Sequence, residues 1–259
     1  MRNVITIARK ELSIYFTTAW GWFGAAAMAF ISAFFFLDLL EGFVQLQASG
    51  RRDAPGLRNL TDGVVVNLFG VLLFITLFVA PFLSMRLFAE ERRQKTFELL
   101  FTAPVRSLEI VLGKYLGGVG VIGAILGITL IYPAILAVFG SSESGHVLEW
   151  STVFTGYLAL MLWASTCMGI GMFISALTES QALAAILTFV VLLLWIALGV
   201  LVRSVDEPLR SVIRYVHFDS QLQPLMKGVF DPKAVVFFLS AIVLSIVLTH
   251  RAVEAQRWT

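Results

Sequence analysis

Apolar and polar stretches alternate on a scale of about twenty residues along this chain, and that pattern predicts its elements. Six uncharged apolar runs, each of roughly 17 residues or more, are long enough to cross a bilayer as helices. They fall at Ala19–Leu37, Gly63–Ser84, Tyr115–Phe139, Val153–Leu177, Ala182–Val202 and Ala234–Thr249. An even number of spans puts both termini on one side.

The stretches between these runs have patterns of their own. In Asn3–Phe16, residues Val4, Ala8, Leu12 and Tyr15 recur at helical spacing, with Asn3, Arg9, Lys10 and Ser13 elsewhere on the circumference. This predicts a helix lying in the membrane interface, or else a plain extension of the first span. Arg203–Pro232 is too polar to span and too apolar for a free loop. Ser204 and Glu207 have capping-box spacing, and Pro208 follows where a first helical turn tolerates it. Leu209, Val212, Ile213 and Val216 then share a face opposite Arg210 and Arg214. One or two short amphipathic helices dipping into the outer leaflet fit this pattern, with a solvated loop as the alternative.

In the third run, Gly113, Gly117, Gly120, Ala124 and Gly127 follow a 4-3-4-3 spacing that keeps all five on one face. Small residues on one face admit a second helix closely, either inside the bundle or across a dimer seam. Pro81 and Pro133 fall near span ends, where they kink or terminate helices.

Composition sharpens the class. The chain is 58% hydrophobic and 14% charged, against about 25% charged for a soluble domain, so it reads as an all-α integral membrane protein. The first apolar stretch continues from Leu12 to Leu37, too long for a signal-peptide core, and reads as an uncleaved span. With the N-terminus inside, the cytoplasmic parts hold eleven of the 19 Lys and Arg residues and the outer parts eight. That bias favours cytoplasmic termini. The many Phe residues, such as Phe34, Phe35 and Phe36, suit lipid-facing surface. Cys167 lies alone in an apolar segment and reads as a small core residue.

Much chemistry is missing. Gly113-Lys114 is followed by Tyr115, so there is no phosphate-binding G-x-x-x-x-G-K-[ST] loop. His146, His217 and His250 are scattered without metal-ligand spacing. No basic stripe with interleaved aromatics suggests nucleic acid. The spans are expected to hold neither a buried carboxylate pair nor a chain of ionisable groups, so a proton- or sodium-coupled carrier is disfavoured. Energy for uphill movement would have to come from another subunit.

The remaining signal is the charged island Glu90–Pro104, too short to be a domain. Glu90, Glu91, Arg92 and Arg93, then Thr96, Phe97, Glu98, Leu99, Leu100, Thr102 and Pro104, resemble the coupling helix of ABC-2 type permeases. Ala8-Arg9-Lys10-Glu11-Leu12 is similar to the elbow helix that opens that family. His217-Phe218-Asp219-Ser220 with Lys227-Gly228-Val229-Phe230-Asp231 resembles the gliding-motility (GldF-like) and nitrous-oxide-reductase-maturation (NosY-like) branch, as does the tail Arg251–Trp258. Two departures stand out: Lys95 occupies a position where that family often has glycine, and Gln221–Met226 lengthens the outer segment.

The resemblance implies a single six-span domain over residues 1–259, similar to a type V exporter. Its parts would be an elbow helix at 1–18, a cytoplasmic coupling region at 85–110 and an outer amphipathic segment at 203–232. It further implies a bacterial cytoplasmic-membrane permease without catalytic residues or cofactor of its own. ATP and magnesium would sit on a partner ATP-binding subunit. The permease would pair with a second copy or a related permease, and an auxiliary protein similar to GldG is a further expected partner. Phe97, Leu99, Leu100 and Phe101 would enter a groove on the ATPase while Glu90, Glu91, Arg92 and Arg93 pair with its rim. Two alternatives stay open: an ABC-type anchor for motility or copper-site assembly, and an autonomous membrane enzyme or channel.

Overall fold

The computed structural model describes residues 2–49, 59–94, 105–140, 148–204 and 206–255. Among these residues, six helical stretches are long and apolar enough to cross a membrane: Gly21–Ala48, Thr61–Arg93, Ser107–Phe139, Trp150–Leu177, Gln181–Val200 and Pro232–Ala255. Each overlaps one of the six runs expected from the sequence.

Helix α1 (Arg2–Thr17) ends at Thr18, whose extended backbone opens an elbow before α2 (Ala19–Ala48). The elbow is built from side chains competing for backbone carbonyls. Thr17 Oγ1 donates to Ser13 O at 2.8 Å, Thr18 Oγ1 to Ile14 O at 2.5 Å, and Trp22 Nε1 to Phe16 O at 2.7 Å. α2 runs well past Leu37, because 30 helical residues rise about 45 Å and outlast the hydrocarbon. Asp38 and Glu41 therefore continue the helix, and Gln45 Nε2 donates to Glu41 at 2.9 Å.

A π-helical turn at Thr61–Val65 leads into α3 (Val66–Ser84), and α4 (Arg86–Arg93) follows after a break at Met85. Pro81 lies inside α3 and offers no N–H to the carbonyl one turn back, which weakens the helix just before that break. The third span is also broken. α5 (Ser107–Ile128) stops at Thr129, and α6 (Ile131–Phe139) starts with Pro133 in its first turn.

α7 (Trp150–Leu177) is the central post. It packs against α3, α4 and α5, and against α8 (Gln181–Ser204), α10 (Phe218–Met226) and α11 (Pro232–Ala255). Its core residues include Trp163, Ala164, Cys167, Met168 and Met172, all fully enclosed.

Between α8 and α11, the chain forms two short helices, α9 (Leu209–Val216) and α10. They are oriented differently. α9 buries none of its residues, and Leu209, Val212 and Tyr215 point outward. α10 tucks Phe218, Leu222, Leu225 and Met226 into the bundle, and Phe218 stacks on Trp163 at 4.2 Å. Trp195 Nε1 ties this pair to α8 by donating to Val216 O at 2.8 Å. The helix expected to start from the capping-box spacing of Ser204 and Glu207 starts later. Ser204 belongs to the last turn of α8, and α9 starts at Leu209 with Pro208 as its N-cap. α10 ends in a Schellman turn: Gly228 N donates to Leu225 O at 3.3 Å, and Val229 N to Pro224 O at 3.0 Å. Gly228 takes φ of +85°, which a side chain would strain.

Candidate functional site: a charged junction and an apolar groove

The end of the bundle that carries α1 and α4 contains a buried ion cluster. α1 lies along the glycine face of α5. A Cβ added at Gly113 would come 2.7 Å from Ile7 Cβ, and one at Gly117 would come 2.6 Å from Glu11 Cβ. At Gly120 it would meet Leu12 Cδ2 at 3.2 Å. These three positions receive α1 within the chain. Ala124 is exposed, and a Cβ at Gly127 would meet nothing within 4 Å.

The close approach of α1 presses Glu11 onto Lys114 of α5. Lys114 Nζ lies 3.0 Å from Glu11 Oε1 and 2.8 Å from Glu91 Oε1 of α4. Its side chain is 3% exposed and also sits 5.2 Å from the Phe88 ring centroid. One ammonium therefore joins α1, α4 and α5 through two carboxylates. Ion pairs shielded from water this way are costly to break from one side, because the remaining charge stays buried. None of the three lies in one of the six predicted runs, and the fold assembles them from residues far apart in the chain.

α4 is fastened to its surroundings at several further points. Ser175 Oγ of α7 accepts hydrogen bonds from Phe88 N at 3.1 Å and Ala89 N at 3.0 Å, and donates to Met85 O at 2.9 Å. The first N–H groups of a helix have no partner inside it, so this hydroxyl completes the start of α4. Arg92 Nη1 donates to Ala176 O at 3.1 Å, closing the end of α7. Arg86 Nε pairs with Glu90 Oε2 at 3.1 Å, and its guanidinium lies 5.7 Å from the Tyr15 ring centroid. Tyr15 in turn donates its hydroxyl to Leu83 O. Burial, then the nearby Glu11 carboxylate, push the Tyr15 hydroxyl well above its ordinary range, so it stays a neutral donor. Asn3 Nδ2 reaches Glu109 at 3.1 Å and holds the start of α1 to the start of α5.

The expected coupling residues divide accordingly. Glu90, Glu91, Arg92 and Arg93 are on α4, while Thr96, Phe97, Glu98, Leu99, Leu100, Thr102 and Pro104 lie outside the described residues. Glu91 pairs with Lys114, Arg92 donates to α7, and Glu90 is tied to Arg86, all three side chains being partly exposed. Arg93 is exposed. Glu11 and Lys114 were missed as site residues. Their available signal was modest: Glu11 falls one turn from Ile7 and Tyr15, and Lys114 interrupts a glycine-rich apolar run.

A second feature lies between α3 and α8. A cleft of about 870 Å³ opens beside α4, with Arg93, Glu179, Ser180 and Gln181 at its mouth and Phe78, Phe82, Ile186 and Phe189 on its walls. Farther along the same two helices, a pocket of about 410 Å³ is bounded by Gly70, Leu73, Phe74 and Ile196, with Asp219, Gln223 and Lys227 of the α10 segment at its edge. Phe74 of the smaller pocket lies 5.2 Å from Phe78 of the cleft, ring to ring, and Phe78 lies 5.0 Å from Phe189. Among the described residues, no three His, Cys, Asp or Glu side chains are placed to hold a metal ion.

Comparison with known families adds one finding. A family model described as ABC-2 family transporter protein matches residues 47–218, which run from the end of α2 to the start of α10. No curated protein matches the chain.

Proposed function

The chain belongs to the ABC-2 family of transporter proteins, and from that premise we propose that it is the permease subunit of an ATP-driven exporter. It is a multi-pass membrane protein of a transport family, and the family implies a separate ATP-binding partner. In this reading two permease copies stand over two ATP-binding subunits. The α1–α4–α5 end faces the cytoplasm, in keeping with the excess of Lys and Arg on that side.

The single observation that carries the reading is the Lys114 cluster. Residues 95–104 connect α4 to α5, and Lys114 and Glu91 join those two helices near the connection. Glu11 brings α1 into the same cluster. A push on the connection would thus be delivered to three helices together, which is what a coupling element has to do. Closure of an ATPase pair would supply the push, and the bundle would respond by rigid-body movement. No step of ATP chemistry falls to this chain.

The test is a mild-detergent pull-down of the tagged protein from its native membranes, with mass spectrometry of its companions. An ATP-binding subunit should co-purify. It should be lost when Glu98 and Leu99 are both changed to Ala, with membrane insertion intact. Unchanged co-purification of that double variant would contradict the coupling assignment.

A further inference from the structure

We propose that the turn at Thr129–Leu130, in the third span, is a hinge. Before it, α5 moves with α7 and the charged junction. Beyond it, α6 moves with α2, to which Tyr132 clasps it. The far ends of the first and third spans then shift as a pair. The inference goes beyond the permease reading and rests on it only for what drives the movement.

The turn is built into the chain. By helical rise, Thr129 lies about 22 Å beyond Lys114. It falls inside the apolar run Tyr115–Phe139, where no water serves an open backbone. Pro133 has no N–H to give the carbonyl of Thr129 one turn back, so a continuous helix would leave that oxygen bare. The chain tightens instead. Leu130 N donates to Gly127 O at 3.2 Å, and Tyr132 N to Thr129 O at 3.1 Å. Thr129 N and Oγ1 both donate to Leu126 O, at 3.0 and 2.6 Å. All these bonds close locally, so the angle between α5 and α6 can change while the carbonyls stay served.

Each side of the turn is fastened to a different helix. Tyr115 of α5 donates its hydroxyl to Ser165 O of α7 at 3.1 Å, and the Thr129 hydroxyl lies 3.1 Å from that of Tyr157, also on α7. Tyr132 reaches another way. Its hydroxyl donates to Ala29 O of α2 at 3.0 Å and lies 2.7 Å from Ser32 Oγ, and its ring stacks on Phe36 at 4.9 Å. In hydrocarbon no water competes for these hydroxyls, so both sets of ties persist. The rest of α6 has room to move: Ile131, Ile135, Val138 and Phe139 are exposed. A Cβ on Gly127, just before the turn, would meet nothing within 4 Å.

Distances between paired spin labels in nanodiscs test this, first with the permease alone. Leu37→Cys with Ile135→Cys spans α2 and α6. Ile128→Cys with Leu158→Cys spans α5 and α7. Ile135→Cys with Leu158→Cys crosses the hinge, and all four positions are exposed. The crossing pair should give a distribution about twice as wide as either of the others. Tyr132→Phe keeps the ring stack and loses the hydroxyl; it should widen the α2–α6 distribution and leave α5–α7 unchanged. Pro133→Ala returns an N–H to Thr129 O and should narrow the crossing pair.

A crossing pair as narrow as the α5–α7 pair would overturn the hinge. So would an α2–α6 distribution unmoved by Tyr132→Phe, or a crossing pair left as wide by Pro133→Ala. These readouts need no ATP-binding subunit. With that subunit bound and ATP trapped, the crossing distance should shift while the α2–α6 distance holds, and the reverse would also overturn the proposal. Widths as expected in a protein that binds no ATPase would overturn the permease reading alone.

Discussion

The α1–α4–α5 junction and the α3–α8 groove are built in opposite ways. At the junction, helix backbones approach closely over Gly113 and Gly117, and a buried lysine holds two carboxylates. Along the groove large rings are exposed, and the described charges sit only at the two ends. Two of the helices on which these features rest differ as well: 44% of the most apolar window of the span containing α5 is buried, against 17% for α8. Tight small-residue packing with paired charge makes a unit that moves as one piece, because dense packing transmits displacement rather than absorbing it. A loosely lined face can change shape at little cost. Force applied near residues 95–104 would therefore move the junction whole and be taken up in the groove.

The largest expected effect breaks the junction. Lys114→Ala leaves Glu11 and Glu91 facing each other in a buried site, and should cost about 3–5 kcal/mol of stability. Thermal unfolding in detergent, or the yield of folded protein, measures the loss. The triple variant Lys114→Met, Glu11→Gln, Glu91→Gln removes all three charges and should recover most of it, because neutral replacement of a buried ionic cluster is often harmless.

A smaller loss is expected from Gly117→Ala. Its new Cβ would stand 2.6 Å from Glu11 Cβ, an atom held by the α1 backbone, and should cost about 1–3 kcal/mol by overpacking. Gly127→Ala is the paired control on the same helix. It meets open space and should leave stability unchanged, or raise it by about 0.4–1 kcal/mol. Equal losses at the two positions would break the distinction between the packed and open parts of the glycine face.

Ser175→Ala strips the hydroxyl that serves Phe88 N, Ala89 N and Met85 O, and should cost about 1–3 kcal/mol. Its signature is local: hydrogen exchange should rise in the first turn of α4 and leave α8 unchanged. The smallest stability effect belongs to the groove. Phe78→Ala removes a ring that is 41% exposed and should cost under about 1.5 kcal/mol, below the range for fully buried aromatics. Its effect should appear instead in ATPase activity of the assembled complex, since the ring contact between α3 and α8 would be lost.

How much could be read beforehand depended on the range of each interaction. The six spans were legible because a membrane helix is a contiguous apolar run, and every run needed is present in the sequence. The face of α1 was largely legible from Val4, Ala8, Leu12 and Tyr15, but Glu11 joins it, and only a lysine 103 residues away makes that position tolerable. No local pattern announces such a pair. Ser204 and Glu207 show the reverse case. Their spacing satisfies a local rule, yet α8 continues through Ser204 and the next helix starts only at Leu209. The apolar run Ala19–Leu37 stops just short of Asp38 and Glu41, whereas the helix, longer than the hydrocarbon, carries them onward. The groove was not legible, because cavities arise from distances between helices, and residue order does not encode those directly.

The central claim is that the junction moves as one body while the groove changes shape. Paired spin labels on the permease bound to its ATP-binding subunit test it most directly. One pair, Arg9→Cys and Leu108→Cys, spans α1 and α5; the other, Phe82→Cys and Ile186→Cys, spans the groove, and all four positions are exposed. Cys167 is fully buried and stays out of the labelling. On trapping ATP, the α1–α5 distance should hold while the α3–α8 distribution shifts. A changed α1–α5 distance over an unchanged groove would contradict the account.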